Sequence, residues 1–290
     1  MVVCFSGFAI GDLTIAITMT TADTHSESGA PQLTVSQAIA NLKQTTDPGD
    51  RYYAAWWLGR FRVREPAAVS ALLEALQDKS DRAPDGGFPL RRNAARALGK
   101  LDEPKAILPL IDCLACSDYY VREAAAQALE GLQAKAGVAP LLKLIDGGVE
   151  AAVDVPGKPH LVQPYNAILE ALGSLGDPTL TAAIEPFLTH AVPQVRNAAA
   201  RAMYQLTGEG KYAQVLIDTL SCDDLPLRRS ALLDLGEAGY LPAAEAIAQT
   251  LAENSIKLIA LKGLLEKQLR ASEGLADDAC KVMTLMDSLL

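Results

Sequence analysis

One segment of about twelve residues recurs along this chain and constrains the fold more than any other feature. Its clearest copy, residues 90–101, reads LRRNAARALGKL. Residues 121–132 read VREAAAQALEGL, residues 195–206 read VRNAAARAMYQL, and LRRSALLDLGEAG begins at Leu227. Weaker copies are DRYYAAWWLGRF from Asp50, PYNAILEALGSL from Pro164 and IKLIALKGLLEK from Ile256. One register position is basic at Arg51, Arg91, Arg122, Arg196, Arg228 and Lys257, with Tyr165 in its place in the fourth copy. Small and apolar residues recur at helical spacing within each copy, so each copy reads as a helix.

A second amphipathic segment precedes each copy, as in EPAAVSALLEAL (65–76), EPKAILPLIDCL (103–114) and LPAAEAIAQTL (241–251). Pro66, Pro104, Pro178 and Pro242 sit near the starts of these segments, where a missing N–H costs little. Asp50, Asp118 and Asp224 read as N-caps of the following helix. Gly59, Gly99, Gly173 and Gly236 read as its C-cap residues. One such helix–turn–helix unit cannot bury its apolar face alone, and stacking onto neighbours makes the core. The expected fold is all-α: a HEAT-like α-solenoid of about seven helix–turn–helix repeats, forming a single domain over residues 33–290. The composition agrees, with 50% hydrophobic but only 5% aromatic residues, a bias toward packed helices over β-sandwiches.

Residues 1–32 stand apart. The apolar run from Val2 to Ile10 has no preceding Lys or Arg and is broken by Gly11 and Asp12, so it fits neither a signal peptide nor a membrane span. Met19 opens a small, polar stretch, and the expectation is a disordered extension with the natural start at Met19. A net charge of −9 argues against nucleic acid as a partner, because phosphate contacts need clustered Lys and Arg. Five cysteines in 290 residues make no disulfide scaffold and suit a reducing compartment.

Two repeats are longer than the rest. The excess lies in residues 79–88 (KSDRAPDGGF) and 147–163 (GGVEAAVDVPGKPHLVQ), each between the first and second helix of its repeat. Insertions at that point emerge on one edge of a solenoid, and long Gly- and Pro-containing loops often carry function. They supply two candidates for chemistry, Asp85 and His160. The second helices line the concave face. Arg92 and Arg96 share one helix face there, as do Glu123 and Gln127, Asn166 and Glu170, and Asn197 and Arg201, and these pairs mark the face as solvated. The first copy holds Tyr52 and Trp56 at the same positions, an aromatic pair expected to be partly exposed, whereas Tyr53 and Trp57 fall in the buried register. The recurring arginines read either as anion ligands or as a structural ladder to loop carbonyls and Asp side chains. Their presence in nearly every repeat favours the ladder.

Catalytic and metal motifs are otherwise missing. There is no His-Glu pair of the kind that holds di-iron in some HEAT-repeat enzymes, no P-loop, and no GxGxxG or GxSxG. Cys113 and Cys116 form a lone CxxC late in a first helix, which reads as core rather than as a metal or redox site.

Taken together, RYYAAWWLGR, PDGGFPLRRNAARALGKL, CSDYYVREAAAQALE, VPGKPHLVQPY and GYLPAAEAIAQTLAENSIKLIALKGLLE resemble the E-type (alpha) subunits of the E/F heterodimeric phycobilin lyases, over roughly residues 33–269. The resemblance implies a subunit that works with an F-type HEAT-repeat partner. Such lyases attach phycocyanobilin, a linear tetrapyrrole, through a thioether to one cysteine of the apo-phycocyanin alpha subunit. The bilin is substrate, and no cofactor or metal is expected. The resemblance also implies the cytosol of a cyanobacterium or a plastid stroma, transient association with phycobilisomes, and no membrane insertion. The family includes lyase-isomerases, whose His-Cys motif belongs to the F-type partner; this chain has no His-Cys pair. In that setting Arg92 and Arg96 suit the bilin propionates. Tyr52, Trp56 and Tyr165 suit its conjugated rings, Asp85 its pyrrole N–H groups, and His160 a proton or hydrogen bond to it. The alternative is a non-enzymatic HEAT-repeat scaffold or chaperone that presents apo-phycobiliprotein or bilin.

Overall fold

The structure, a computed structural model, describes residues 33–80, 82–271 and 277–290; the expected extension and the start at Met19 lie outside them. Helices come in antiparallel pairs. The pairs are α1 (Val35–Lys43) with α2 (Pro48–Arg60), α3 (Pro66–Leu76) with α4 (Pro89–Leu101), and α5 (Ile107–Cys113) with α6 (Tyr119–Gly131). Then follow α7 (Val138–Leu144) with α8 (Tyr165–Leu175), α9 (Thr181–Ile184) with α10 (Pro193–Thr207), and α11 (Gly210–Thr219) with α12 (Leu225–Ala238). The pair α13 (Ala244–Gln249) and α14 (Asn254–Ala271) precedes a last helix, α15 (Asp277–Asp287). The first helices α5, α7, α9 and α13 enter through a short 3-10 turn, with proline in three of those turns. This is the all-α HEAT solenoid expected from the repeat.

The second helices stack on one another from α2 to α14 and form the inner layer. Leu98, Leu129, Leu172 and Leu235, at one register position of four copies, are fully buried, and Met203 holds that position in the copy between the last two. Each such leucine stabilises the stack by about 2 kcal/mol. Stacking this close needs small residues, and here the sequence expectation needs correction. Gly99 and Gly173 lie inside helices rather than at their ends. A Cβ at Gly99 would sit 2.7 Å from the Cα of Ala128, and one at Gly173 only 2.4 Å from that of Ala202. These glycines permit helix contact between repeats. The left-handed caps fall elsewhere, at Asp102, Gly208 and Gly239. Asp118 and Asp224 do cap α6 and α12, but α2 is capped by Asp47, to which the Asp50 N–H donates.

The recurring basic residues form the ladder. Arg51 donates to the Leu42 carbonyl at 3.2 Å and pairs with Asp78 at 2.6 Å. Arg91 donates to Leu76 O at 2.9 Å, Arg122 to Cys116 O at 2.7 Å, Arg196 to His190 O at 2.7 Å and Lys257 to Ala248 O at 3.1 Å. Arg228 reaches carbonyls on both sides, at Cys222 and Leu251. Each cation, near the start of a second helix, satisfies carbonyls at the end of a first helix, where the helix dipole also favours positive charge. Tyr165 occupies the same inward position, which explains its environment below.

Candidate functional site

The first turn of α6 gathers both insertions. Asp118, its N-cap, accepts from Tyr120 N at 2.8 Å and with its other oxygen from Phe88 N at 2.6 Å, the last residue of the first insertion. That insertion closes through Gly86 N to Ala83 O and Ala83 N to Gly87 O, and Gly86 takes the positive φ the turn requires. Arg82 donates to Gly86 O and lies over the Phe88 ring. On the other side Arg122 donates to Val162 O at 2.9 Å and to Gln163 Oε1 at 2.8 Å, pinning the second insertion. The second insertion is a small hairpin, with an antiparallel bridge between Asp154 and Leu161 and a further bond from Val155 N to His160 O. His190 Nε2 donates to Ala152 O at 2.8 Å and anchors its root.

Between the two insertions lies a cavity of about 630 Å³, lined by Asp85, Asp118, Tyr119, Tyr120, Lys158 and His160 among others. The His160 imidazole stacks on the Tyr119 ring, with centroids 4.1 Å apart and planes 14° apart, and meets Tyr120 edge-on at 5.8 Å. His160 Nδ1 lies 2.8 Å from Leu161 O, so Nδ1 carries the hydrogen. Burial pushes the Tyr119 phenol up to about 12, with Glu123 adding to it. The Glu123 carboxyl is also raised by burial, against the opposing pull of Arg96, Arg92 and His160.

Beside this cavity the inner layer carries Arg92 and Arg96 of α4. Arg92 lies over the Tyr120 ring at 5.5 Å, and among the described residues its buried Nε takes no hydrogen bond. Arg96 faces Glu123 at 3.6 Å. Arg96 and Lys100 rim a depression of about 380 Å³ floored by Gly99, Ala124, Ala128 and Gly131. Toward the N-terminal end, Trp56 is 47% exposed and stacks on Tyr53 at 5.5 Å.

Comparison with known proteins places this geometry. Residues 35–130 match the family description "HEAT repeats", and residues 121–147 match "PBS lyase HEAT-like repeat". The phycocyanobilin lyase subunit alpha of Synechococcus elongatus is 59% identical over 272 residues, which cover 91% of this chain and 100% of that protein. Its counterpart in Nostoc sp. is 60% identical over 263 residues, 90% and 95% of the two chains. The chain belongs to the phycocyanobilin lyase alpha-subunit family. A solved structure described as the complex of CpcE and CpcF of phycocyanin lyase from Nostoc sp. PCC7120 contains a chain 59% identical to this one. It matches with a TM-score of 0.85 over 94% of this chain and all of that one.

Against that family background the sequence candidates separate. Asp85 and His160 both line the cavity, although Asp85 also accepts from Gly87 N at 3.1 Å and so caps its own turn. Arg96 lines the depression, Arg92 lies over the Tyr120 ring, and Trp56 is exposed beside Tyr53. Tyr52 is half-buried, and its carbonyl accepts from Asn93 at 3.4 Å. Tyr165 is a correction: it is 2% exposed and packs on Phe187, which the next repeat delivers from the 3-10 turn between α9 and α10. Its ring is closed off from any ligand at the surface. Tyr53 is also a correction, since it is exposed beside Trp56, while Trp57 is half-buried against Phe61. Asn197 and Arg201 are buried, so the inner face is not solvated along its whole length. Arg229 is committed to Glu253. Cys113 is buried beside Arg91, and burial raises its thiol pKa. The residues that sequence reasoning missed are Tyr119 and Tyr120, while Glu123, Arg122 and Asp118 were read only as a solvated face, a ladder member and a cap. Asp118 was visible as a cap, but its second bond crosses to another repeat. Among the described residues no group of three His, Cys, Asp or Glu side chains comes together as a metal site, and no helix is long and apolar enough to cross a membrane.

Proposed function

We propose that this chain is the alpha subunit of a heterodimeric phycocyanobilin lyase. In this reading it attaches phycocyanobilin by a thioether to a cysteine of the phycocyanin alpha subunit, together with an F-type partner, in the cytosol. The observation that carries the reading is 59–60% identity to lyase alpha subunits over nine tenths of the chain. The reaction balances without a cofactor. The thiol S–H bond breaks, an S–C bond forms at the bilin ethylidene, its C=C π bond opens, and the proton ends on the adjacent ring carbon. What this chain contributes is placement and proton handling. Arg92, Arg96 and Lys100 suit the propionates, Trp56 with Tyr53 offers ring faces, Asp85 suits pyrrole N–H groups, and His160 Nε2 moves the proton.

Co-expression of the chain with an F-type subunit, the apo-alpha subunit and bilin synthesis tests this. The expected result is a covalent adduct, seen by absorbance in acid urea and by zinc fluorescence. Bilin or apoprotein binding without any adduct would leave a scaffold in place of a lyase.

A further inference from the structure

Tyr119 and His160 come from different repeats and meet only because the second insertion folds back over the start of α6. The backbone beside His160 is held independently. Arg122 bonds the carbonyl of Val162 and the side chain of Gln163, and the hairpin bridge closes the loop at Leu161. The backbone alone leaves the side-chain torsions of His160 free. Two contacts remove that freedom: the Nδ1 bond to Leu161 O, and the face of Tyr119 with the edge of Tyr120. Tyr119 and Tyr120 are themselves perpendicular at 5.2 Å, so their rings form a corner into which the imidazole fits. Among the described residues, Nε2 is the ring nitrogen left without a hydrogen-bond partner.

We propose that Tyr119 is a positioning residue for the lyase reaction, acting through its ring to hold the His160 imidazole with Nε2 available to the substrate. This rests on the reading of His160 as the proton-moving group. The Tyr119 hydroxyl has no part in it: the phenol, raised by burial, stays neutral, and only the ring face is used. Glu123, one turn further along the same face of α6, places a carboxyl near the imidazole.

Tyr119→Phe, Tyr119→Ala, Tyr119→Leu and His160→Gln in the full chain, each paired with the F-type subunit, supply the test. In the Tyr119→Ala and Tyr119→Leu proteins the attachment rate at saturating bilin should fall about a hundredfold, the cost of misplacing a reacting group. The KM for bilin should stay within about twofold, and Tyr119→Phe should keep the wild-type rate. The double variant Tyr119→Ala/His160→Gln should be no slower than His160→Gln, because the ring works only through the imidazole. In NMR spectra of the chain alone, the His160 ring protons should shift upfield in wild type and Tyr119→Phe and return in Tyr119→Ala. A raised KM with an unchanged maximal rate, a Tyr119→Phe protein as slow as Tyr119→Ala, or additive losses in the double variant would overturn the proposal. If His160→Gln is slow while Tyr119→Ala is not, only this inference falls. If His160→Gln attaches bilin normally, the reading of His160 falls and takes this inference with it.

Discussion

Arg96 and Arg201 occupy the same position of their repeats and have opposite fates. Arg96 is 45% exposed at its side chain and faces one carboxylate, Glu123. Arg201 is 6% exposed and faces three: Glu130 of α6, Glu170 of α8 at 3.7 Å and Asp234 of α12 at 3.5 Å. The difference lies in the neighbours. Arg96 is flanked at the equivalent positions by Trp56 and Gln127, neither of them acidic, and stays open to solvent. Arg201 is reached by long acidic side chains from three other helices, which close over it and tie four consecutive repeats together. One guanidinium cannot neutralise three buried carboxylates, so the cluster retains protons. Burial, then Asp234, pushes Glu170 up to about 8, and burial pushes Asp234 to about 6. The repeat therefore builds an open guanidinium toward one end and a buried ionic tie toward the other from one register position.

Arginine-to-alanine substitution at both positions probes that contrast most strongly. Arg201→Ala leaves buried carboxylates uncompensated and should cost about 3–5 kcal/mol in denaturant unfolding. Arg96→Ala should cost less than about 1 kcal/mol while lowering bilin attachment. Equal stability losses would break the comparison. Next in size is a pH effect. Because the folded pKa of Glu170 is raised, its contribution to stability is complete below its ordinary value of 4.5 and is lost as pH rises toward about 8. Thermal melts of Glu170→Gln should therefore decline less than wild type across that window, and identical slopes would remove Glu170 from the cluster's titration. At the open end, Trp56→Ala should change unfolding free energy by no more than about 0.5 kcal/mol, as expected of an exposed side chain, yet reduce attachment. A loss of similar size, about 0.5 kcal/mol, is expected for Arg92→Ala, which gives up its place over the Tyr120 ring, and its effect on function should show mainly as a raised KM for bilin.

Much of the solenoid was legible in the chain. Helix pairing, proline placement and the basic ladder follow from twelve-residue patterns, because a side chain's position on its own helix depends only on spacing. The edge on which both insertions emerge followed from their place between helices. The roles of Gly99 and Gly173 were misread because a glycine near a helix end looks the same as a cap or as a contact. Only the Ala128 and Ala202 backbones opposite distinguish the two. Tyr165 was misread because its aromatic character suggested a ligand, while its register, the inward position of the ladder, already pointed the other way.

By itself the sequence determined the repeat, the face each residue takes on its helix, and the loops long enough to carry a site. The tertiary structure alone decided that Asp118 and Arg122 draw the two insertions together, that His160 rests on Tyr119, and that Arg201 is buried while Arg96 is open. Those outcomes depend on side chains delivered from other repeats. Burial and pairing are set by everything that converges on a point in space, whereas spacing along one helix specifies only the direction in which a residue looks.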